Sequence, residues 1–114
     1  MLNKKYRLNQ GFDYVYRNGY KVRGKYGMVI GKEDTKLKNC VFAIVIPKKF
    51  GKAIKRNKAK RWVRSIVQGL INEGFFETVK LKVLYVAFEG ADDYSSLEKE
   101  LLNQFEEVVK ISKK

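Results

Sequence analysis

A chain of 114 residues, 45% of them hydrophobic, supports one domain with one modest core, which excludes two independent domains and makes disorder the wrong starting point. A net charge of +13, from 25 Lys and Arg against 12 Asp and Glu, calls for an anionic partner. With no histidine and one cysteine, a His-dependent triad, a thiolate metal cluster and an internal disulfide are all excluded.

The first ten residues, MLNKKYRLNQ, lack the apolar stretch of a signal peptide, and no run approaches the roughly 18 apolar residues of a spanning helix. The expectation is a cytoplasmic protein with no membrane partner. Leu8 to Arg17 reads as a short helix with Phe12, Val15 and Tyr16 on one side and Asn18-Gly19 as its stop. Tyr20 to Lys32 has the pattern of a strand, either continuous or divided in two. Gly24 and Gly27 within it signal a bulge or the close approach of another part of the chain. Glu33 to Asn39 is expected to be a polar hairpin connection. Cys40 to Ile46 is continuously apolar, as in a strand buried on both faces, with Cys40 as a small buried hydrophobe at its edge.

Pro47 ends that strand, Gly51 marks a turn, and a helix is expected from Ala53 to Ile71. At about 100° per residue, Ala59, Trp62, Val63, Ile66, Val67 and Leu70 form one arc of this helix. Asn57, Lys58, Lys60, Arg61, Arg64 and Gln68 form the other, with Arg56 on the border. The eighteen residues Pro47 to Arg64 hold nine cations and no acid. Arg56, Lys60 and Arg64 are like charges at i, i+4, and each such pair costs a few tenths of a kcal/mol. The cluster also lies toward the helix amino end, where the macrodipole opposes cations. An anionic partner reverses the sign of both effects.

Val79 to Phe88 reads as a strand in which Leu81, Val83, Tyr85 and Ala87 alternate with Lys82, Leu84, Val86 and Phe88. Ser95 and Glu98 have the spacing of a capping box for a last helix whose stripe is Leu97, Leu101, Phe105 and Val108. The expected fold is therefore α+β, an α/β sandwich of order α-β-β-α-β-α around a small mixed sheet, forming a single domain over residues 1–114.

Catalytic constellations are not found. The adjacent acid pairs Glu33-Asp34, Asp92-Asp93 and Glu106-Glu107 read as solvated loop and helix positions, and no GxxxxGK[ST] phosphate loop is present. Gly51 and Lys52, at the head of the basic helix, are a weaker phosphate signal. Binding is the better reading. Lys48, Lys49, Lys52, Arg56, Lys58, Lys60, Arg61 and Arg64 supply phosphate partners and Asn57 a neutral donor. Phe12, Tyr16, Tyr20 and Tyr26 lie among Arg17, Lys21, Arg23 and Lys25, as expected where bases stack on rings and a backbone follows charge. A second reading stays open, in which Phe12 and Val15 only anchor the first helix to the sheet.

The run Lys48-Lys49-x-Gly51-x-Ala53-x-x-Arg56-Asn57-Lys58-x-Lys60-Arg61-x-x-Arg64 resembles the signature of the bacterial ribonuclease P protein component. Arg7-Leu8, Phe12-x-x-Val15-Tyr16-x-x-Gly19 and Leu97-Glu98-Lys99-Glu100-Leu101 extend the resemblance over residues 5 to 112. It implies an accessory subunit bound to a catalytic ribonuclease P RNA that removes the 5′ leader from precursor tRNA. The active site and its Mg²⁺ then belong to the RNA, and the protein holds no cofactor and takes no small-molecule substrate. It also implies a left-handed crossover around the basic helix. The helix faces the RNA subunit, and a cleft of Phe12, Tyr16, Met28, Ile30 and Val45, with Lys49 near its end, takes the single-stranded leader. Lys58 replaces the family's second arginine and loses its bidentate fork. Ile30, Val45, Pro47 and Phe88-Glu89-Gly90 also depart from the pattern and make the expected cleft more apolar. A general or ribosomal RNA-binding protein and a DNA-binding module that reads the major groove are the alternatives from other classes.

Overall fold

Alternation along one central strand sorts the whole molecule into layers. The computed structural model describes residues 3–112. Its elements are α1 (Phe12–Asn18), β1 (Tyr20–Arg23), β2 (Gly27–Glu33), β3 (Val41–Val45), α2 (Ala53–Asn72), β4 (Leu81–Ala87) and α3 (Tyr94–Ser112), with short 3-10 turns at Lys4–Tyr6 and Lys48–Phe50. The four strands form one mixed sheet in the order β1-β2-β4-β3. β2 is antiparallel to β1 and β4, and β3 is parallel to β4. This is the expected α+β order, with the first strand region divided in two at Gly24–Tyr26.

On one face of β4, Leu81, Val83, Tyr85 and Ala87 join the main core with Val63, Ile66 and Val67 of α2 and Leu101, Phe105 and Val108 of α3. Phe76 sits edge-on between Phe42 and Phe105, with ring centres 4.9 and 5.4 Å apart. On the other face, Leu84 joins Met28, Ile30, Leu8 and Val15, so that α1 is pinned through the fully buried Val15. A seven-residue helix hides little. That second face is therefore only partly covered.

Glycines allow the closest approaches. A Cβ on Gly27 would collide with the Tyr85 ring, and one on Gly31 with Val108 of α3. Gly24 lies against the Glu100 carboxylate, which accepts the backbone N–H groups of Lys25 (2.6 Å) and Tyr26 (2.9 Å) and so closes the β1–β2 turn from α3. Close approach, of the two readings offered for Gly24 and Gly27, is what the structure contains. Gln104 of α3, itself buried, donates to the carbonyls of Val22 (2.9 Å) and Gly27 (3.0 Å).

Four local expectations are corrected. The first helix starts at Phe12, not Leu8, because Gly11 takes a left-handed φ of 78° and the preceding residues run along β3, where Leu8 N–H donates to Phe42 O (2.8 Å). Glu33 to Asn39 is not a hairpin connection, since β4 inserts between β2 and β3. β3 is not buried on both faces: it is the sheet edge, and of its five residues only Phe42 is fully buried. Cys40, just ahead of it, is buried as expected, and desolvation pushes its thiol up to about 11. The last helix is capped by Asp93 instead of a Ser95–Glu98 box, Asp93 Oδ1 accepting the Ser96 N–H at 2.8 Å. Helix growth back to Tyr94 puts Ser95 inside the first turn, where it cannot cap.

Candidate nucleic-acid interface

The parallel β3-α2-β4 unit places the start of α2 at the carboxyl end of β3. The 3-10 turn Lys48–Phe50 leads directly into it. Lys52 occupies the N-cap position without a side-chain cap, and the first turn holds no acid. The amino end of α2 therefore presents free backbone N–H groups together with cations. Ile54, on the same first turn, is 84% exposed.

Burial along α2 centres on Val63, Ile66, Val67 and Leu70, and this orientation divides the charges that a helical wheel groups on one arc. On one flank, Lys60 and Arg64 reach a cleft of about 260 Å³ beside Arg7, Leu8, Phe12 and Phe42. Arg56 lies one turn before Lys60, with its Nε buried and without a hydrogen-bond partner. Asn57 and Arg61 are exposed on the outside of the helix. On the other flank, Lys55 and Lys58 border a cleft of about 290 Å³ against the β4–α3 connection. Lys58 does not join the arginines; its ammonium sits 4.6 Å from the centre of the Trp62 ring. Among the described residues, no side chain of α2 stands within ion-pairing distance of a carboxylate, and the one pair found is Lys82–Asp34 at 3.3 Å. That pair and the Lys36 backbone N–H hold the Asp34 carboxyl below its usual range, the backbone hydrogen bond contributing most.

The residues expected in a leader cleft are only partly brought together. The register aligns Arg23, Met28, Val86 and Val45 in one row across the second sheet face, with Lys21, Ile30, Leu84 and Ala43 in the next. Phe12 and Tyr16 are exposed on α1 above this face, and Val45 is 39% exposed at its edge. Met28 is almost covered. Ile30 is fully buried, with Gly19 pressed against its methyl group, so it forms the floor under α1 and offers no contact surface. The strand alternation was right; the coverage by α1 is what a sequence pattern does not carry.

Three neighbours of this face were not among the expected cleft residues. Lys21 lies 5.1 Å from the centre of the Tyr16 ring, and Arg23 lies 4.8 Å from that of Phe88. Had the β1 boundaries been fixed, alternation alone would have put Lys21 and Arg23 on the face of Met28 and Ile30. Tyr20 and Tyr26 separate from this group. Tyr20 donates to Glu107 of α3 (3.2 Å), a bond that raises its phenol above the usual range, and Tyr26 packs at the rim of the main core. Lys48, Lys49 and Lys52 are exposed at the same end of the sheet as Val45.

No group of His, Cys, Asp or Glu that could hold a metal ion occurs among the described residues. In the same residues, no helix is long and apolar enough to cross a membrane.

A family model described as Ribonuclease P matches residues 2–110. A ribonuclease P protein component of Thermotoga petrophila is 38% identical over 101 residues, covering 85% of each chain. One from Staphylococcus epidermidis is 28% identical, over 98% of this chain and 94% of its own. Among solved structures, the RNase P protein of Thermotoga maritima superposes with a TM-score of 0.75 at 25% identity, over 90% of this chain and 96% of that one. The RNase P protein of Staphylococcus aureus gives 0.67 at 23% identity over 95% of both and supports the fold.

Proposed function

The chain belongs to the ribonuclease P protein component family, which implies RNA binding and tRNA processing, and from that membership we propose that α2 docks this protein on a catalytic RNA while the partly covered sheet face holds the leader of precursor tRNA. The observation that carries the proposal is the state of α2. Six cations stand on one helix, with no carboxylate of the described residues in ion-pairing reach and no side-chain cap on its first turn. Phosphates would satisfy both deficits. They neutralise the i, i+4 repulsion and accept from the free N–H groups.

In this reading Lys48, Lys49, Lys52, Arg56, Asn57, Lys58, Lys60, Arg61 and Arg64 face the RNA subunit. The buried, unpartnered Arg56 Nε supports it, since an unmet buried donor costs about 1–3 kcal/mol until an acceptor arrives. The leader crosses the second sheet face. Its bases meet Phe12, Tyr16 and Val45, with Phe88 and Val86 added; its phosphates meet Lys21, Arg23 and Lys49; Met28 and Ile30 support the floor. The protein positions substrate, and cleavage with Mg²⁺ is carried by the RNA, in the cytoplasm.

The test adds this protein to a precursor-tRNA cleavage assay with a ribonuclease P RNA at low Mg²⁺. A gain in cleavage or substrate affinity that grows with leader length is expected. No gain at any protein concentration would sink the proposal and leave a general RNA-binding protein.

A further inference from the structure

Of the cleft on the Trp62 flank of α2, the reading above uses only Lys58. Its apolar walls are Phe50, Trp62, Tyr85 and Leu97, and its rims are opposite in charge. Lys55 and Lys58 line the α2 rim; Glu89 and Asp92 line the rim formed by the β4–α3 connection. Among the described residues these charges make no ion pair across the opening. The Trp62 ring packs edge-to-face with Tyr94, ring centres 5.6 Å apart, and the Tyr94 hydroxyl donates to Ser65 Oγ at 3.0 Å. An aromatic wall beside two cations becomes a stacking site next to a phosphate site once the Lys58 ammonium, 4.6 Å from the Trp62 ring centre, turns from the ring to the phosphate. At about 290 Å³ the cleft lies at the small end of ligand pockets, closer to one nucleotide than to a peptide segment.

The two carboxylates narrow the choice. A bare polyanion would be repelled by Glu89 and Asp92, so that rim faces the base and not the backbone. A carboxylate only accepts hydrogen bonds, and therefore suits bases that carry an amino group. We propose that this cleft takes one unpaired, amino-bearing RNA base, stacked between Trp62 and the Tyr85–Leu97 wall, with its phosphate on Lys55 and Lys58 and its amino group on Glu89 or Asp92. The proposal rests on the reading of α2 as an RNA-facing helix. It adds a point of base contact on the flank opposite Lys60 and Arg64.

Trp62 is the only tryptophan of the chain, so its fluorescence reports on the cleft without a label. The full chain is titrated with GMP, AMP, CMP, UMP and ribose 5-phosphate. Saturable quenching by the first three is expected, with UMP weaker and ribose 5-phosphate inert. Ala59→Leu narrows the cleft from α2 and Ala91→Leu narrows it from the opposite rim. Each should weaken GMP at least about fivefold, the low end of what one stacked base contributes. The second variant keeps the test valid if the first disturbs the helix, with thermal melts confirming the fold of both. Absence of saturable quenching, quenching by ribose 5-phosphate equal to GMP, or unchanged binding in both variants overturns the proposal. Equal binding of UMP overturns the role given to Glu89 and Asp92. Failure of the reading of α2 itself would appear in the precursor-tRNA assay, which does not depend on this titration.

Discussion

Lys60→Gln should make the free protein more stable and its RNA complex weaker. Lys60 stands between Arg56 and Arg64 on one flank of α2, so its charge enters two i, i+4 repulsions that no acid of the helix relieves. At about 0.2–0.5 kcal/mol each, the two amount to roughly 0.4–1 kcal/mol. Gln and Lys have similar helix propensity, and Gln keeps part of the methylene stem in the cleft beside Phe12 and Phe42. For a domain near 100 residues, this raises the melting temperature by about 2–6 °C at low ionic strength. The gain should fade toward zero at about 1 M salt, where screening acts over roughly 3 Å. Filter binding to a ribonuclease P RNA across a salt series should show the log–log slope reduced by about 0.7–0.9, the mark of one lost phosphate contact. A lower melting temperature would show that Lys60 is held by something the contacts of α2 do not include. An unchanged slope would remove it from the interface.

Three further outcomes are expected. Sulfate, compared with chloride at matched ionic strength, should raise the melting temperature by binding the unpaired cations of the native state, and at ten times its Kd the gain is about 1.4 kcal/mol; calorimetry without a shift would argue against an anion site. Phe105→Ala removes a fully buried ring packed edge-on with Phe76 and should cost about 3–5 kcal/mol, read as a lower urea midpoint with m unchanged. The Asp93 carboxyl is held below the usual aspartate value of about 3.9, chiefly by the Ser96 side chain and then by the Ser96 backbone N–H. Its stabilising effect is therefore present above that value and lost as pH falls through the lower folded value. The melting difference between the wild-type protein and Asp93→Ala should be constant near neutrality and shrink below about pH 4; a difference that survives full protonation would mean the cap does not depend on charge.

Most of the layer structure is written in periodicities that need no tertiary knowledge. The alternation of Leu81, Val83, Tyr85 and Ala87 against Leu84 and Val86 identified the two faces of the central strand, and the arc of Val63, Ile66, Val67 and Leu70 identified the buried side of α2. What failed depended on partners distant in sequence. Cys40 to Ile46 is apolar enough for an inner strand, yet β4 takes the inner place because it alone pairs with both β2 and β3. Ile30 looked like cleft surface until α1 was laid over it. Lys58 is the exception: it looked like a member of one basic arc, but its ammonium lies over Trp62, four residues on in the same helix. Alternation fixes which face a residue joins; it does not say what the rest of the chain leaves uncovered.

The edge position of β3 has a consequence for how the chain is made. Its neighbour β4 begins at Leu81, after the whole of α2, so during synthesis the apolar run from Cys40 to Ile46 emerges with no sheet partner on its β4 side. Such a segment is prone to pair with copies of itself. The residues that follow, Pro47 and then nine cations before any acid, are the kind that block strand extension and keep chains apart. A chain ended at Asn72 should therefore stay dispersed at low salt and aggregate when the cations are screened. The same charges that would meet RNA in the finished molecule thus guard this edge strand while the molecule is still incomplete.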